Sequence, residues 1–428
     1  MTESTRVRRW LSQAPAPIVT LYSMTAAFST YFCMYAYRKP FSAASYEGEH
    51  FLGTAVALKT AFVIAQILGY TLSKYVGIKL VSEAQPERRA HMLVGLVLAA
   101  QAALLLFAIV PAELKVVAIF LNGLPLGMVW GLVVGYLEGR RTSDLLLAGL
   151  CCSFIVASGA VKDAGLALMR WLHLSEYWMP FATGILFMPA FVVSVWSLHQ
   201  IPRPSAQDIQ LRSARAPMGG KERLGFASSF LLGLILLIAV YVPLTAYRDF
   251  RDNYGLELFA ELGYSGTPAL FSRTEVPVAV GVMISIALLS IVRDNRRAVL
   301  GIFLLMLTGC GVLIVSTLLL QAGLLSGFLW MMAIGLGSYF IYVPYNSVLF
   351  DRIMAHTRAP GTAVFAIYLA DALGYTGSVV VQLLRDFFDA RPSRLAFFQT
   401  YTYAVAAFGL LALSAACIYF VRKGPRPA

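Results

Sequence analysis

The sequence predicts an all-α integral membrane protein with twelve transmembrane helices in two pseudo-symmetric six-helix halves. Three observations predict this fold class: the composition, the length of the apolar runs, and a repeat at about half the chain length. Of the 428 residues, 59% are hydrophobic and 13% are charged, and the mean hydropathy is +0.72. Soluble domains are nearer half apolar and a quarter charged, so the composition excludes an ordinary soluble enzyme, a disordered chain and a disulfide-built secreted domain.

Twelve stretches have the ~20 apolar residues that a membrane-spanning helix needs. They are predicted at 18–37, 52–72, 91–110, 116–137, 145–168, 178–199, 226–247, 275–292, 299–320, 327–349, 361–383 and 397–420.

A connection rich in proline, glycine and basic residues lies near the middle of the chain, at 201–225. This composition is typical of a linker, so we predict an N-terminal half over 1–200 and a C-terminal half over 226–428. A second long connection follows span 7, and residues 254–263 within it read as a short interfacial helix.

The basic residues are distributed unequally between the two sides of the membrane. The tails and even-numbered connections hold 22 of the 34 Lys and Arg residues, whereas the odd-numbered connections hold 10. Cytoplasmic loops carry the excess of Lys and Arg, so both termini are predicted to be cytoplasmic. The net charge of +12 is explained in the same way and not by nucleic acid, because no basic stripe or aromatic platform accompanies it.

The chain repeats itself at an offset of 210 residues. Segment 28–38 aligns with segment 238–248, and Leu126-Gly127 aligns with Leu336-Gly337 at the same offset. Two matches at one offset indicate two parallel six-helix halves related by an axis along the membrane normal, which suits alternating access. The identical pairs of the first match are Tyr31/Tyr241, Ala36/Ala246, Tyr37/Tyr247 and Arg38/Arg248.

Six plus six spans with a basic central connection resemble the major facilitator superfamily along nearly the whole chain. The connection between spans 2 and 3, Gly69 to Lys79, resembles the Gly-x-x-x-Asp-Arg-x-Gly-Arg motif of that superfamily. It departs from the motif at Ser73, which stands near the position of the aspartate, and it is one residue longer. The gating role of that aspartate therefore has no counterpart here.

The end of span 1 carries a closer resemblance. The segment Tyr35-Ala-Tyr-Arg38-Lys39-Pro-Phe41 is similar to a motif of the organophosphate:phosphate antiporters. The resemblance implies that Arg38 and Arg248 hold a phosphate group. The segment Asn122 to Gly127 also resembles an uncharacterised bacterial branch of the superfamily, which implies a bacterial inner membrane but no substrate.

The chemistry of Arg38 and Arg248 also suits a site in which two arginines bind one anion. A guanidinium offers a rigid fork of donors that matches phosphate oxygens and stays charged. Tyr31, Tyr35 and Arg38 share one helix face, and Tyr241 and Arg248 repeat that spacing in span 7. The alternative is an interfacial belt, because ~30 Å of helix from Pro17 to Arg38 would bring this arginine to the outer surface.

Charged side chains within the apolar spans mark further candidate sites. Lys59, which we place about eight residues into span 2, is a candidate third anion ligand or a partner in an ion pair with Asp371 or Asp163. Asp163 and Asp371 could carry a coupled proton, and their alternative is to lock the two halves together. Lys162 is adjacent to Asp163 but points ~100° away from it on the helix.

Another charged group, together with Lys74, is predicted to form the salt bridges of a cytoplasmic gate. Its members end span 4 or span 10 on the predicted cytoplasmic side: Glu138, Arg140, Asp351 and Arg352.

Together these features predict a monomeric secondary transporter that moves a small organic anion, a phosphorylated metabolite, with phosphate or a proton as the coupling ion. The alternatives are a proton-coupled transporter of a neutral or cationic metabolite or drug, a lipid flippase, and a transporter-like sensor. We expect no enzyme activity, cofactor or metal site, because the five histidines lie at predicted helix ends or in loops and none pairs with another at ligand spacing.

Overall fold

The computed structural model describes residues 6–54, 56–82, 84–138, 140, 142–204, 228–292, 294–357, 363–388 and 393–423. The predicted central connection, 201–225, lies outside these residues except for 201–204. Contacts divide the chain into two units, Met1–Ser213 with Ala269–Ser272 and Ala214–Pro268 with Arg273–Ala428.

Helices account for most of the described part of the first unit, and two short 3₁₀ turns, Pro40–Ala43 and Phe51–Gly53, separate its second and third helices. These helices are α1 (Arg6–Gln13), α2 (Ala16–Tyr35), α3 (Leu58–Ser82), α4 (Arg89–Ile109), α5 (Ala112–Leu126), α6 (Val129–Leu137), α7 (Ser143–Leu172) and α8 (Met179–His199).

The second unit is also helical. Its helices are α9 (Leu231–Asn253), α10 (Gly255–Glu261), α11 (Leu270–Ser290, whose first three residues group with the first unit), α12 (Asn295–Gln321), α13 (Gly327–Ser347), α14 (Leu349–Thr357), α15 (Ala363–Phe388) and α16 (Arg394–Arg422).

The helices fall on the predicted spans. Among the described residues, nine helical stretches are long and apolar enough to cross a membrane, and α5 with α6 counts as one of them. The helices α2, α3 and α15 occupy predicted spans 1, 2 and 11. The predicted all-α membrane fold is therefore confirmed, and α10 confirms the short helix predicted after span 7.

Two predicted spans differ from the structure in detail. Span 2 begins at Leu58 and not at 52, because the preceding chain forms a turn in which Gly48 and Gly53 have positive φ and His50 bridges to Ala57. Span 4 is interrupted between α5 and α6, two residues after Pro125. A proline inside a helix removes a backbone hydrogen bond and crowds the preceding turn, which favours such a break.

Glycine allows α3 and α5 to pack backbone against backbone. A Cβ atom added at Gly69 would lie 2.2 Å from the carbonyl oxygen of Phe120, and one added at Gly123 would lie 2.3 Å from that of Gln66. Small residues permit this close approach of membrane helices, which gains van der Waals contact where the hydrophobic effect cannot act. The close packing of α3 on α5 sets which face of α3 lies toward the end of α2.

Candidate functional site

Arg38 lies just beyond the end of α2 and is buried, with 3% of its surface exposed. Its guanidinium carbon lies 3.9 Å from the ring centroid of Tyr70 and 5.7 Å from that of Tyr35. The Tyr35 ring packs edge to face on Tyr31 at 5.6 Å. Tyr31, Tyr35 and Arg38 therefore lie together, as their spacing predicts. Tyr70 of α3 contacts the same guanidinium.

The backbone around Arg38 packs against α3. The side-chain amide of Gln66 donates a 2.8 Å hydrogen bond to the carbonyl oxygen of Arg38. Gln66 lies eight residues beyond Leu58, about 12 Å along α3. After Arg38 the chain continues through the buried turn Pro40–Ala43, so Arg38 is covered by protein and its backbone is level with the third turn of α3.

A buried amide network holds this part of the chain in place. Gln66 donates to Oδ1 of Asn122 at 2.8 Å, and Nδ2 of Asn122 donates to the carbonyl oxygens of Tyr37 at 3.0 Å and Ala100 at 3.1 Å. The asparagine of the Asn122 to Gly127 segment thus fixes the backbone on which Arg38 stands. Sequence reasoning missed Gln66 and Asn122, although polar amides within apolar spans were the signal that could have identified them.

The predicted site and the predicted gate share Tyr70. Lys74 is buried, and its ammonium nitrogen lies 5.4 Å from the centroid of the Tyr70 ring, which Arg38 also contacts. Lys59 is buried as well, but it is the second residue of α3 and does not lie eight residues into the helix as predicted. Lys59 is nearer the start of the helix than predicted because α3 begins at Leu58 and not at 52.

The buried charges of the first unit are cationic. Among its described residues, six cationic side chains are buried, and every acidic side chain whose burial is described is half-buried or exposed. A buried charge in a membrane protein is costly and marks a functional position unless a partner stabilises it. The six are Arg38, Lys39, Lys59, Lys74, Lys115 and Lys162.

Two of these lysines have contacts that stabilise their charge. Lys115 donates a 2.7 Å hydrogen bond to the carbonyl oxygen of Phe107, and its ammonium lies 4.2 Å from the centroid of the Tyr177 ring. Lys162 lies 4.9 Å from the centroid of the Phe271 ring. Such contacts of a cation with carbonyl oxygens and aromatic faces stabilise the charge away from water.

Asp163, the neighbour of Lys162, contacts backbone donors. Its Oδ2 accepts hydrogen bonds from the backbone nitrogen of Ser272 at 2.6 Å and from the Ser272 hydroxyl at 2.5 Å. Its Oδ1 accepts from the backbone nitrogen of Phe271 at 3.3 Å. Residues 269–272 group with the first unit, so these bonds lie within it, and a role of Asp163 in proton coupling stays a prediction.

The second unit buries Arg248 in a comparable aromatic setting. Its guanidinium carbon lies 4.1 Å from the ring centroid of Tyr342, and it donates a 3.4 Å hydrogen bond to the hydroxyl of Tyr375. It also forms a buried salt bridge of 2.9 Å with the adjacent Asp249. Each unit therefore places a guanidinium on a tyrosine ring at positions that the 210-residue repeat relates.

Tyr241 links this arginine to the predicted proton carrier. Its hydroxyl donates a 2.5 Å hydrogen bond to Oδ1 of Asp371 and accepts one of 3.0 Å from Nδ2 of Asn346. Its ring stacks on Tyr342 with the centroids 5.2 Å apart. The predicted residues Arg248, Tyr241 and Asp371 are thus joined into one cluster, with Tyr342 as the connecting ring.

A second ion pair in this unit was missed by sequence reasoning. Arg251 forms a buried salt bridge of 2.8 Å with Glu275 and donates a 2.8 Å hydrogen bond to the carbonyl oxygen of Met331. Together with Asp249 and Asp371, this pair means that the second unit buries acidic as well as basic side chains. Its charges are closer to balance than those of the first unit.

The predicted gate residues lie at helix ends. Glu138 follows the last residue of α6, and Asp351 lies in the first turn of α14. Arg140 donates to the carbonyl oxygen of Pro202, and Arg352 donates to Oδ1 of Asn295 at 3.1 Å. Ion pairs of Glu138 and Asp351 with Lys74 stay a prediction. No group of three or more His, Cys, Asp or Glu side chains within the described ranges is arranged to hold a metal.

The fold is that of known membrane transporters. The structure is similar to a D-xylose-proton symporter, with a TM-score of 0.59 and 13% identity over 95% of this chain and 97% of that chain. It is also similar to the nucleoside transporter NupG, with a TM-score of 0.57 and 14% identity over 94% of this chain and 99% of that chain. The protein is therefore a multi-pass membrane protein of the predicted major facilitator fold.

Within that class the sequence identifies a family. The chain belongs to the family of unknown function DUF5690, whose model matches residues 40–423. A comparison with curated protein sequences gave no match.

Proposed function

We propose that the protein is a secondary active transporter of a small organic anion, with a phosphorylated metabolite as its substrate. The observation that carries this proposal is the excess of buried cations in the first unit. Arg38 and Lys74 contact the same Tyr70 ring, so two of these buried positive charges lie close together. An anion that enters the protein lowers the energy of such a group, because attraction between charges is strong where water is excluded.

Arg38 is the anion ligand that the geometry favours most in the first unit. Its charge lies on the face of Tyr70, and a fork of guanidinium donors suits two oxygens of one phosphoryl group. Arg248 is the corresponding ligand in the second unit, where the repeat places it. We propose Tyr31, Tyr35 and Tyr241 as hydroxyl donors beside the two arginines.

Exchange of labelled phosphate tests the proposal. Purified protein in liposomes loaded with unlabelled phosphate or glycerol phosphate should accumulate labelled inorganic phosphate by counterflow. Liposomes loaded with xylose or a nucleoside, the substrates in the names of the two structural relatives, provide the comparison. Accumulation that depends only on sugar or nucleoside loading would reject the anion and support a neutral substrate.

A second candidate is a proton-coupled transporter of a neutral or cationic metabolite. The burial of Asp371, which accepts a hydrogen bond from Tyr241, favours it, because an acidic side chain within a membrane span is a candidate carrier of a coupled proton. The D-xylose-proton symporter that the fold resembles is named for such coupling. Uptake driven by an imposed pH gradient, without phosphate in the liposomes, would support this candidate, whereas binding without any transport would support a sensor.

A further inference from the structure

A cavity of about 460 Å³ lies between α2 and α8 in the first unit. Its rings, Phe28, Phe32 and Phe187, are half-buried, and its edge includes Val193, which is 62% exposed. The cavity therefore opens on the outer face of a membrane-spanning helix. In a bilayer that face is in contact with acyl chains, so the cavity is accessible from the lipid.

The cavity has the length of one leaflet. At one end the hydroxyl of Tyr22 donates a 3.0 Å hydrogen bond to the carbonyl oxygen of Ser197, and at the other the rings of Phe32 and Phe187 meet at 6.2 Å. From Tyr22 to Cys33 the helix rises roughly 16 Å, and one leaflet contributes about half of a hydrocarbon core of ~30 Å. A volume of this size is typical of sites that bind small molecules.

A basic helix lies at the end of the cavity that faces the membrane surface. Arg8 of α1 donates a hydrogen bond to the carbonyl oxygen of His199, two residues beyond Ser197 of the cavity wall. Arg6 and Arg9 are exposed on the same helix, and Trp10 is 55% exposed. Exposed arginines and a tryptophan at the end of a spanning helix are typical of the interface, where anionic headgroups lie.

We propose that the cavity binds one acyl chain of an anionic phospholipid from the surrounding bilayer and that α1 holds its phosphate. The apolar wall excludes the proposed transport substrate, which is polar, so this site is separate from the one proposed for transport. Charge complementarity selects the headgroup, and the length of the cavity places the chain in the leaflet on the side of the N-terminus. The lipid would fix α1 against the ends of α2 and α8.

Native mass spectrometry of the full chain tests the site with two defined lipids, phosphatidylglycerol and phosphatidylcholine of identical acyl chains. The wild type should retain one phosphatidylglycerol at least tenfold more tightly than phosphatidylcholine. Ala190→Trp, which fills the cavity, should lose both lipids. Arg6→Gln with Arg9→Gln should retain the lipid but lose the preference for phosphatidylglycerol.

Matched controls distinguish the site from general contact with lipid. Leu304→Trp adds a ring at an exposed position of α12, and Arg296→Gln with Arg297→Gln removes two exposed charges at the start of that helix. Both should retain the lipid as the wild type does. Equal loss in the controls, or no preference in the wild type, overturns the proposal.

A measurement on the wild type covers the case in which Ala190→Trp does not fold. Phosphatidylglycerol with a photoreactive diazirine in its acyl chain should label peptides that contain Phe32, Phe187 or Ala190. Labelling spread evenly over the exposed leucines of all spanning helices would reject a specific site. Both results are independent of transport, so they do not depend on the proposed substrate.

Discussion

The hydroxyl of Tyr241 donates a 2.5 Å hydrogen bond to Oδ1 of Asp371, and both side chains are buried in the second unit. The two residues lie 130 positions apart in the chain. Tyr241 also stacks on Tyr342, whose ring contacts Arg248. Contacts of two tyrosines therefore connect Asp371 to Arg248, the proposed anion ligand.

Asp371→Asn should separate proton coupling from exchange. The amide oxygen of asparagine can still accept the bond from Tyr241, so the fold should be retained while the titratable group is lost. If Asp371 carries the proton, uptake driven by a pH gradient disappears and counterflow of labelled substrate remains. Tyr241→Phe is the companion variant, and we expect it to destabilise the protein by about 1–3 kcal/mol, since it removes a donor from a buried acceptor. Gradient-driven uptake by a folded Asp371→Asn variant at the wild-type rate would contradict the assignment.

Arg38→Lys and Arg248→Lys should each lose most phosphate exchange. Lysine keeps the charge but replaces the planar fork with a point charge, which cannot bind two oxygens in the same way. Arg296→Lys is the matched control at an exposed position and should exchange at the wild-type rate. Initial rates in proteoliposomes measure the effect, and wild-type exchange by both folded variants would show that the arginines are structural.

We expect the aromatic ring of Tyr70, and not its hydroxyl group, to support binding of the anion. The Arg38 guanidinium lies 3.9 Å from its centroid, and a desolvated cation–π contact contributes about 2 kcal/mol. Tyr70→Leu should therefore leave Arg38 less well oriented and weaken the apparent affinity for the anion, by at most ~30-fold, and Tyr70→Phe should weaken it much less. Competition binding with inorganic phosphate measures both variants. Equal effects of Leu and Phe would assign the role to the hydroxyl group and not to the ring.

Gly69→Ala should destabilise the first unit. The added Cβ would lie 2.2 Å from the carbonyl oxygen of Phe120, so α3 and α5 would have to separate, at a cost of about 1–3 kcal/mol or more. Gly95→Ala is the control, because no atom lies within 4 Å of the corresponding Cβ position. Thermal unfolding in detergent should show a lower midpoint for Gly69→Ala only. Similar midpoints for the two variants would mean that the crossing tolerates a methyl group.

Both termini should be cytoplasmic, as the distribution of Lys and Arg predicts. Cysteine substitution of Gly219 in a variant without the five native cysteines gives a single labelling site in the predicted central connection. An impermeant thiol reagent should label it only after the membrane is opened. Labelling of intact cells would place this connection outside and reverse the predicted orientation.

The sequence alone determined the spans and the class of fold. A bilayer requires each crossing segment to be apolar over ~20 residues and to satisfy its own backbone, so both requirements can be read within a single segment. For this reason spans such as Gly327–Ser347 agree with the apolar runs to within a few residues. The repeat of Arg38 and Arg248 was equally visible, because it compares the sequence with itself.

Only the tertiary structure decided what these residues contact. The bonds of Asn122 to Tyr37 and of Tyr241 to Asp371 join residues 85 and 130 positions apart, and they depend on how each helix is rotated about its axis. That rotation is set by the packing of neighbouring helices, as at Gly69, and hydropathy carries no information about it. The surroundings of Arg38 depended on the tertiary structure for the same reason: α2 ends at Tyr35, and the carbonyl oxygen of Arg38 accepts a hydrogen bond from Gln66 of α3, a partner that a single span does not contain.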